Sequence, residues 1–156
     1  MQSVIDRAFQ QGGHLSKLVP GYSPRAPQIQ ISSKVGQCLE EELHLLLEAE
    51  TGTGKSLGYL LPAAKWAVQN NKKVVICTHT IPLMNQIIKI ELPRVQEILR
   101  MENANLRYIL LMKTKAREMT PHTKTIDAAL EGSHIDTCIE EDVIIALTMP
   151  PSLLSI

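Results

Sequence analysis

Eight consecutive residues, Ala49-Glu50-Thr51-Gly52-Thr53-Gly54-Lys55-Ser56, combine two glycines, a lysine and a hydroxyl at spacings suited to a phosphate chain. Gly52 and Gly54 let the backbone turn tightly and approach an anion with no Cβ in the way. The amides that follow, at the start of a helix, turn partial positive charge toward that anion. Lys55 is placed to reach the β- and γ-phosphates of a bound nucleotide, and the Ser56 hydroxyl to ligate its Mg²⁺. Thr51 and Thr53 complete the set of nucleotide-binding candidates in the loop. The pattern is the phosphate-binding loop with Ala49 in place of its first glycine. A plain glycine-rich turn between a strand and a helix would use similar residues. The Gly-Lys-Ser after an apolar run and before a helix favours the nucleotide.

The elements that must position this loop follow from the flanking residues. Leu45, Leu46 and Leu47 predict a short buried strand before it, and Leu57, Leu60 and Leu61 a helix after it, running to about Asn70 with Pro62 as a possible kink. Val74 to Thr78 (VVICT) predicts a second buried strand of parallel-sheet character. Pro82 opens a helix through Lys89, Pro93 to Met101 another, and Leu106 to Met112 a third strand. This alternation predicts an α/β fold of three layers around a parallel sheet, with the loop at the C-terminal end of its strand. Before the loop, Ser3 to Gln11 predicts a short helix, and Leu15, Leu18 and Val19 an apolar patch stopped by Pro20-Gly21. A helix from Gln28 to about Glu42 buries Ile31, Val35 and Cys38 or Leu39. Beyond Lys113 the pattern is weaker. Lys113, Lys115, Arg117 and Lys124 form a basic stretch, Thr125 to Glu131 fits a short helix, and Ile139 to Ala146 fits a strand.

With 156 residues and 44% hydrophobic content, the chain is long enough for one domain with a core. No apolar run approaches the roughly 18 residues of a membrane helix. The N-terminal residues lack the apolar centre of a signal peptide, which leaves the cytoplasm as the expected location. Cys38, Cys77 and Cys138 have no paired spacing, so neither a zinc site nor a disulfide framework is expected. The net charge is zero, but residues 1–100 hold 11 Lys and Arg against 8 Asp and Glu, whereas residues 101–156 hold 5 against 8, which places the acidic excess at the C-terminal end. Aromatic content of 3% leaves little surface for stacking nucleic-acid bases, and Trp66 is expected in the core.

Three segments together resemble the N-terminal part of the DinG and YoaA group of bacterial DNA helicases, relatives of the XPD-type helicases of superfamily two. Gly21 to Gln28 (GYSPRAPQ) is similar to the family's Arg-x-x-Gln motif, Glu48 to Pro62 (EAETGTGKSLGYLLP) to its phosphate loop and helix, and Val74 to Pro93 (VVICTHTIPLMNQIIKIELP) to its next motif. The resemblance covers roughly residues 15 to 113. It implies a P-loop NTPase of RecA-like form, ATP and Mg²⁺ as cofactors, and DNA unwinding coupled to ATP hydrolysis in complete members. It further implies that Gln28 reads the adenine edge with Arg25 in support, and that Thr78 and Thr80 contact phosphates of single-stranded DNA. From the residues alone, Gln28 reads as a solvated residue at a helix start, and the two threonines as a turn at a strand end. Gln86 matches a family position; His79 receives no role.

The chain departs from the family in several places. Glu50 stands where these helicases carry Gly, and a carboxylate near a triphosphate is unfavourable unless it points away. After Lys113 the residues are Thr114-Lys115-Ala116 rather than Gly-Arg. No iron–sulfur cluster is expected, since Cys138 cannot hold one alone. No Asp-Glu-Ala-His box, which holds Mg²⁺ and activates water, occurs in the 156 residues. Three segments are therefore expected: an N-terminal helical segment (1–20), a partial ATP-binding domain of a helicase (21–113) and a divergent remnant (114–156). The chain reads as a truncated copy, with Asp142 to Ala146 resembling a family segment that a frameshift interrupts. Its expected partners are ATP and, weakly, single-stranded DNA, with no membrane. The alternatives are a nucleotide-binding module that does not hydrolyse, or an inactive fragment. A small P-loop kinase is disfavoured by the scatter of Arg94, Arg100, Arg107 and Arg117.

Overall fold

A computed structural model of the chain describes residues 1–78, 80–112 and 143–148. The basic stretch from Lys113 to Lys124, the helix expected at Thr125 to Glu131, His79 and Cys138 lie outside the described residues. Two short helices open the chain, α1 (Gln2–Phe9) and α2 (His14–Leu18), followed by α3 (Ala26–Glu40). Then come α4 (Lys55–Asn70), β1 (Val74–Thr78), α5 (Ile81–Gln86), a π-helical turn (Ile87–Glu91), α6 (Leu92–Met101), β2 (Arg107–Met112) and β3 (Val143–Thr148).

The centre of the fold is α4. Its sequence, KSLGYLLPAAKWAVQN, is apolar on most sides, and Leu57, Leu60, Leu61, Pro62, Ala63, Ala64, Ala67 and Val68 are all buried. Around it gather Ile5 and Phe9 of α1, Leu15 of α2, and Val95, Ile98 and Leu99 of α6, all in one hydrophobic cluster. The N-terminal segment thus shares the core of the residues that follow it. The helix runs unbroken through Pro62 and ends at Asn71, whose left-handed backbone (φ 50°) makes the turn expected at the paired asparagines. Trp66 is half-buried, not a core residue.

Close approach of α3 to α4 depends on small residues. A Cβ at Gly58 would sit 3.1 Å from Ile31 Cγ2 and 3.4 Å from the Gln28 carbonyl oxygen, so glycine there brings the two helices together. The face of α3 turned inward carries Gln28, Ile31, Ser32 and Gly36. Val35, Cys38 and Leu39, expected on that face, are only half-buried. They lie off the face that meets α4, where Gln28 and Ile31 approach Gly58 and Gly36 approaches Pro62.

The sheet corrects the expected topology. β3 lies between β1 and β2 and is antiparallel to both, pairing Val74 with Leu147 and Thr78 with Val143 on one side, and Arg107 with Thr148 and Met112 with Val143 on the other. β1 and β2 therefore run in the same direction, as a strand–helix–strand crossover requires, but they are not neighbours. Val-Ile-Ile-Ala-Leu-Thr is a β-branched, apolar run suited to pairing on both edges, and it fills the gap in reverse.

The strand expected at Leu45 to Leu47 is absent. Residues 43–50 have no regular structure, and Leu46 is fully exposed. Three leucines flanked by Glu41, Glu42, Glu48 and Glu50 are too short and too charged at their ends to hold a place in this sheet. The helix expected to run from Pro82 through Lys89 ends at Gln86 and continues as the π turn.

One polar tie closes the N-terminal helices onto α6. Arg7 donates two hydrogen bonds to the Glu102 carboxylate, at 2.8 and 2.5 Å, and His14 Nε2 lies 2.8 Å from the same group. The Arg7 guanidinium, with help from His14, holds the Glu102 carboxyl at about 2. A carboxyl depressed in the folded state stabilises above its ordinary value near 4.5, and that contribution is lost as pH falls from there toward about 2. Glu102→Gln should therefore lower the urea midpoint at pH 7 and make progressively less difference as the pH is taken down to 3. An equal deficit at both pH values would count against the tie.

Candidate nucleotide-binding loop

The loop expected to hold phosphate is fastened by residues from the start of α3. Arg25 Nη1 donates to the Gly52 carbonyl oxygen at 2.7 Å, and Gln28 Nε2 donates to the Gly54 carbonyl oxygen at 3.0 Å. Gln28 is 5% exposed, so the solvated residue read from the sequence alone is not what the fold contains. Its side-chain oxygen lies 3.5 Å from the Tyr22 hydroxyl, which also donates to the Phe9 carbonyl at 3.2 Å. Burial pushes the Tyr22 phenol above its ordinary value, and the Arg25 charge pulls it partly back.

Gly52 (φ 82°) and Gly54 (φ 80°) both occupy the left-handed region that glycine alone enters cheaply. Space also requires glycine at position 54, where a Cβ would collide with the Gln28 amide. Thr53 closes the turn by donating its hydroxyl to the Glu50 carbonyl at 2.9 Å, while Thr51 is exposed. The Glu50 side chain is exposed to solvent, which avoids the unfavourable placement its charge would otherwise impose. Lys55, at the first position of α4, folds back and donates to the Ala49 carbonyl, bridging the two ends of the loop. That ammonium is available to an incoming phosphate on exchange of one carbonyl acceptor. Ser56 is half-exposed on the same first turn.

The donor set bears on the metal. Among the described residues no three His, Cys, Asp or Glu side chains converge on a cation site. Ser56 offers one hard oxygen, which suits an ion held mainly by other oxygens, such as those of a ligand and water, and not one held by protein alone.

The two threonines separate. Thr78 is 4% exposed and its hydroxyl has no hydrogen-bond partner, so it faces the interior and not a surface strand of nucleic acid. Thr80 is exposed and caps α5, its hydroxyl accepting from the Leu83 amide at 3.4 Å. The structure thus brings Arg25, Gln28, Gly52, Gly54, Lys55 and Ser56 into one place and leaves Thr78 and Thr80 at the end of β1. Two residues near the loop carry no role in the sequence reading, Tyr59 and Glu91. The available signal for Glu91 was one carboxylate within the apolar run Ile87-Ile88-Lys89-Ile90-Glu91-Leu92.

Comparison with known proteins follows the same residues. The family of DEAD/DEAH box helicases matches residues 29–139. The chain belongs to that family. It is 34% identical over 137 residues to the ATP-dependent DNA helicase YoaA of Escherichia coli, across 88% of this chain and 20% of that protein. It is 39% identical over 87 residues to the E. coli ATP-dependent DNA helicase DinG, across 54% of this chain and 12% of that one. It is 40% identical over 84 residues to the 3'-5' exonuclease DinG of Bacillus subtilis, across 54% and 9%. The chain therefore spans a fifth or less of the length of these relatives. No solved structure matches. Family membership implies a P-loop NTPase fold of RecA-like type. Among the described residues no helix is long and apolar enough to cross a membrane.

Gly54→Ala should cost about 1–2 kcal/mol from the left-handed backbone alone, with a further loss from displacement of the Gln28 amide. Chemical denaturation checks this. Stability equal to that of the unaltered chain would show that the loop is not clamped at this point.

Proposed function

We propose that this chain is the ATP-docking part of a DinG/YoaA-type ATP-dependent DNA helicase, with residues 21–113 forming a partial motor domain, residues 1–20 packed on it and residues 114–156 a divergent remnant. The observation that carries this reading is the fastening of Gly52 and Gly54 by Arg25 and Gln28 in a chain of helicase family. Lys55 would exchange the Ala49 carbonyl for the β- and γ-phosphates, and Ser56 would place its hydroxyl oxygen toward the Mg²⁺ that neutralises phosphate charge when bound. Thr51 and Thr53 would line the same loop. Gln28 would hydrogen-bond the adenine edge with Arg25 beside it, by family resemblance. Single-stranded DNA would meet the chain weakly at Thr80 and the basic stretch near Lys113, in the cytoplasm. Thr78 would take part through its backbone, since its hydroxyl is turned inward.

A second reading, a nucleotide-binding module without hydrolysis, is favoured by one fact: these 156 residues contain no Asp-Glu-Ala-His box. Both readings share the loop and differ in turnover.

Lys55→Ala should weaken binding of a fluorescent ATP analogue by about 2–5 kcal/mol, the usual cost of leaving a buried charge without its partner. Equal affinity in the two proteins would remove the phosphate-loop assignment. Incubated with Mg²⁺-ATP and single-stranded DNA, the purified chain should release no phosphate above background. DNA-stimulated release that Lys55→Ala abolishes would show that these residues suffice for hydrolysis.

A further inference from the structure

Between α3 and the glycine loop runs the segment Leu43-His44-Leu45-Leu46-Leu47, whose four leucines are all exposed, Leu46 completely. Monomeric proteins seldom leave such an apolar run in water, and one that does marks a surface for a partner. Both ends of the segment are held. The Leu43 amide donates to the Cys38 carbonyl at 2.9 Å near the end of α3, and Arg25, at its start, holds the Gly52 carbonyl. Residues 43–51 must therefore travel back along a helix of 15 residues, about 22 Å long. That is most of the ~30 Å they reach when fully stretched. The run is thus an extended backbone that belongs to no sheet.

A second feature fits it. β1 pairs with β3 on one side and is an edge of the sheet among the described strands. Edges of this kind accept another extended chain. The edge and the leucine run match in length, since β1 has five residues, as does Leu43–Leu47. They match in phase. Val74 and Ile76 pack toward the core and Thr78 is buried, whereas Cys77 is exposed. Leu43, Leu45 and Leu47 are likewise less exposed than Leu46. They match in charge, since Glu41 and Glu42 precede one run and Lys72 and Lys73 the other. Laid in parallel, with Leu43 beside Val74 and Leu47 beside Thr78, the two runs join their inward faces and set two acids next to two lysines.

We propose that this chain pairs with a second copy of itself, the run Leu43–Leu47 of each copy adding in parallel to β1 of the other. Within one copy, the ties along α3 hold the run off its own sheet and leave its charged ends uncompensated. A twofold pair makes two contacts at once, because each copy offers one run and one edge. Glu42 and Lys72 line a single cleft between the ends of α3 and α4, so run and edge begin at the same end of each copy. Both contacts then form on one side of the molecule. The partner is the chain itself because both halves of the match lie within these residues.

Cross-linking tests partner and register together. In this register position 46 falls beside position 77 of the second copy. A chain with Leu46→Cys and Cys77→Ser, mixed with the unaltered chain under a mild oxidant, should form a disulfide between positions 46 and 77, identified by peptide mass. A 46–77 bond within a single Leu46→Cys chain would overturn the proposal, as would a stronger link to Cys77 from His44→Cys than from Leu46→Cys. Sedimentation over a series of concentrations gives the second reading. The unaltered chain should pass from monomer to dimer. Glu41→Lys with Glu42→Lys should weaken the dimer about fivefold or more, as should Lys72→Glu with Lys73→Glu. Mixing these two variants should restore it, because each then meets opposite charge in the other. A chain that stays monomeric at every concentration overturns the proposal, and so does a dimer that both reversals leave unchanged. Where a reversal lowers the melting temperature, the cross-link decides, since Leu46→Cys alters only an exposed position.

Discussion

The structure depends on the clamp between the start of α3 and the loop before α4. Two carbonyl oxygens, of Gly52 and Gly54, accept from Arg25 and Gln28 across a sequence separation of 26 or 27 residues. A glycine-rich turn has high conformational entropy, and amides can be preorganised toward an anion only if something removes that freedom. Here the removal is done on the carbonyl side, which leaves the amide side of the loop free. The clamp works because the two helices lie close, and they lie close because Gly58 places no side chain between them. Gln28 is buried by the same approach, and its amide nitrogen donates to the loop while its oxygen lies against the Tyr22 hydroxyl. A residue implied by resemblance to read adenine is thus, in this state, a brace for the phosphate loop.

The remaining polar interior follows the same logic of paired groups. Arg7 and His14 converge on Glu102 and hold the N-terminal helices to the end of α6. Gln86 braces Glu91 in the π turn. The apolar cluster around α4 supplies the driving force, with Phe9, Leu60, Leu61, Ile98 and Leu99 removed from water. The polar ties decide how the surrounding helices are set against that cluster.

Much of this was legible in the residues. The helix after the loop, its end at the asparagine pair, the strand Val74–Thr78 and the segment Arg107–Met112 all carry local signals: periodicity, turn residues and β-branched runs. The tight turn of the loop was legible because Gly52 and Gly54, both at positive φ, are glycines that a turn of this kind needs. What failed were statements about neighbours. Leu45 to Leu47 look like a strand, but a strand exists only where another edge accepts it. The direction of β3 relative to β1 and β2 is a property of the whole chain, which no local pattern encodes. Burial of Gln28 and Thr78 likewise comes from packing of distant elements, so a polar residue that reads as solvated lies inside. The π turn gave no signal beyond a carboxylate among apolar residues.

The central claim is that a clamped loop at Gly52 to Ser56 receives the phosphates of a nucleotide. The most direct measurement is an amide NMR titration of the ¹⁵N-labelled chain with ATP and Mg²⁺. The account predicts that the largest shifts fall on the backbone amides of Gly52 through Ser56 and on the side-chain amide of Gln28, which leaves the Gly54 carbonyl for the adenine edge. Shifts that are absent from this set, or centred on another part of the chain, would contradict it.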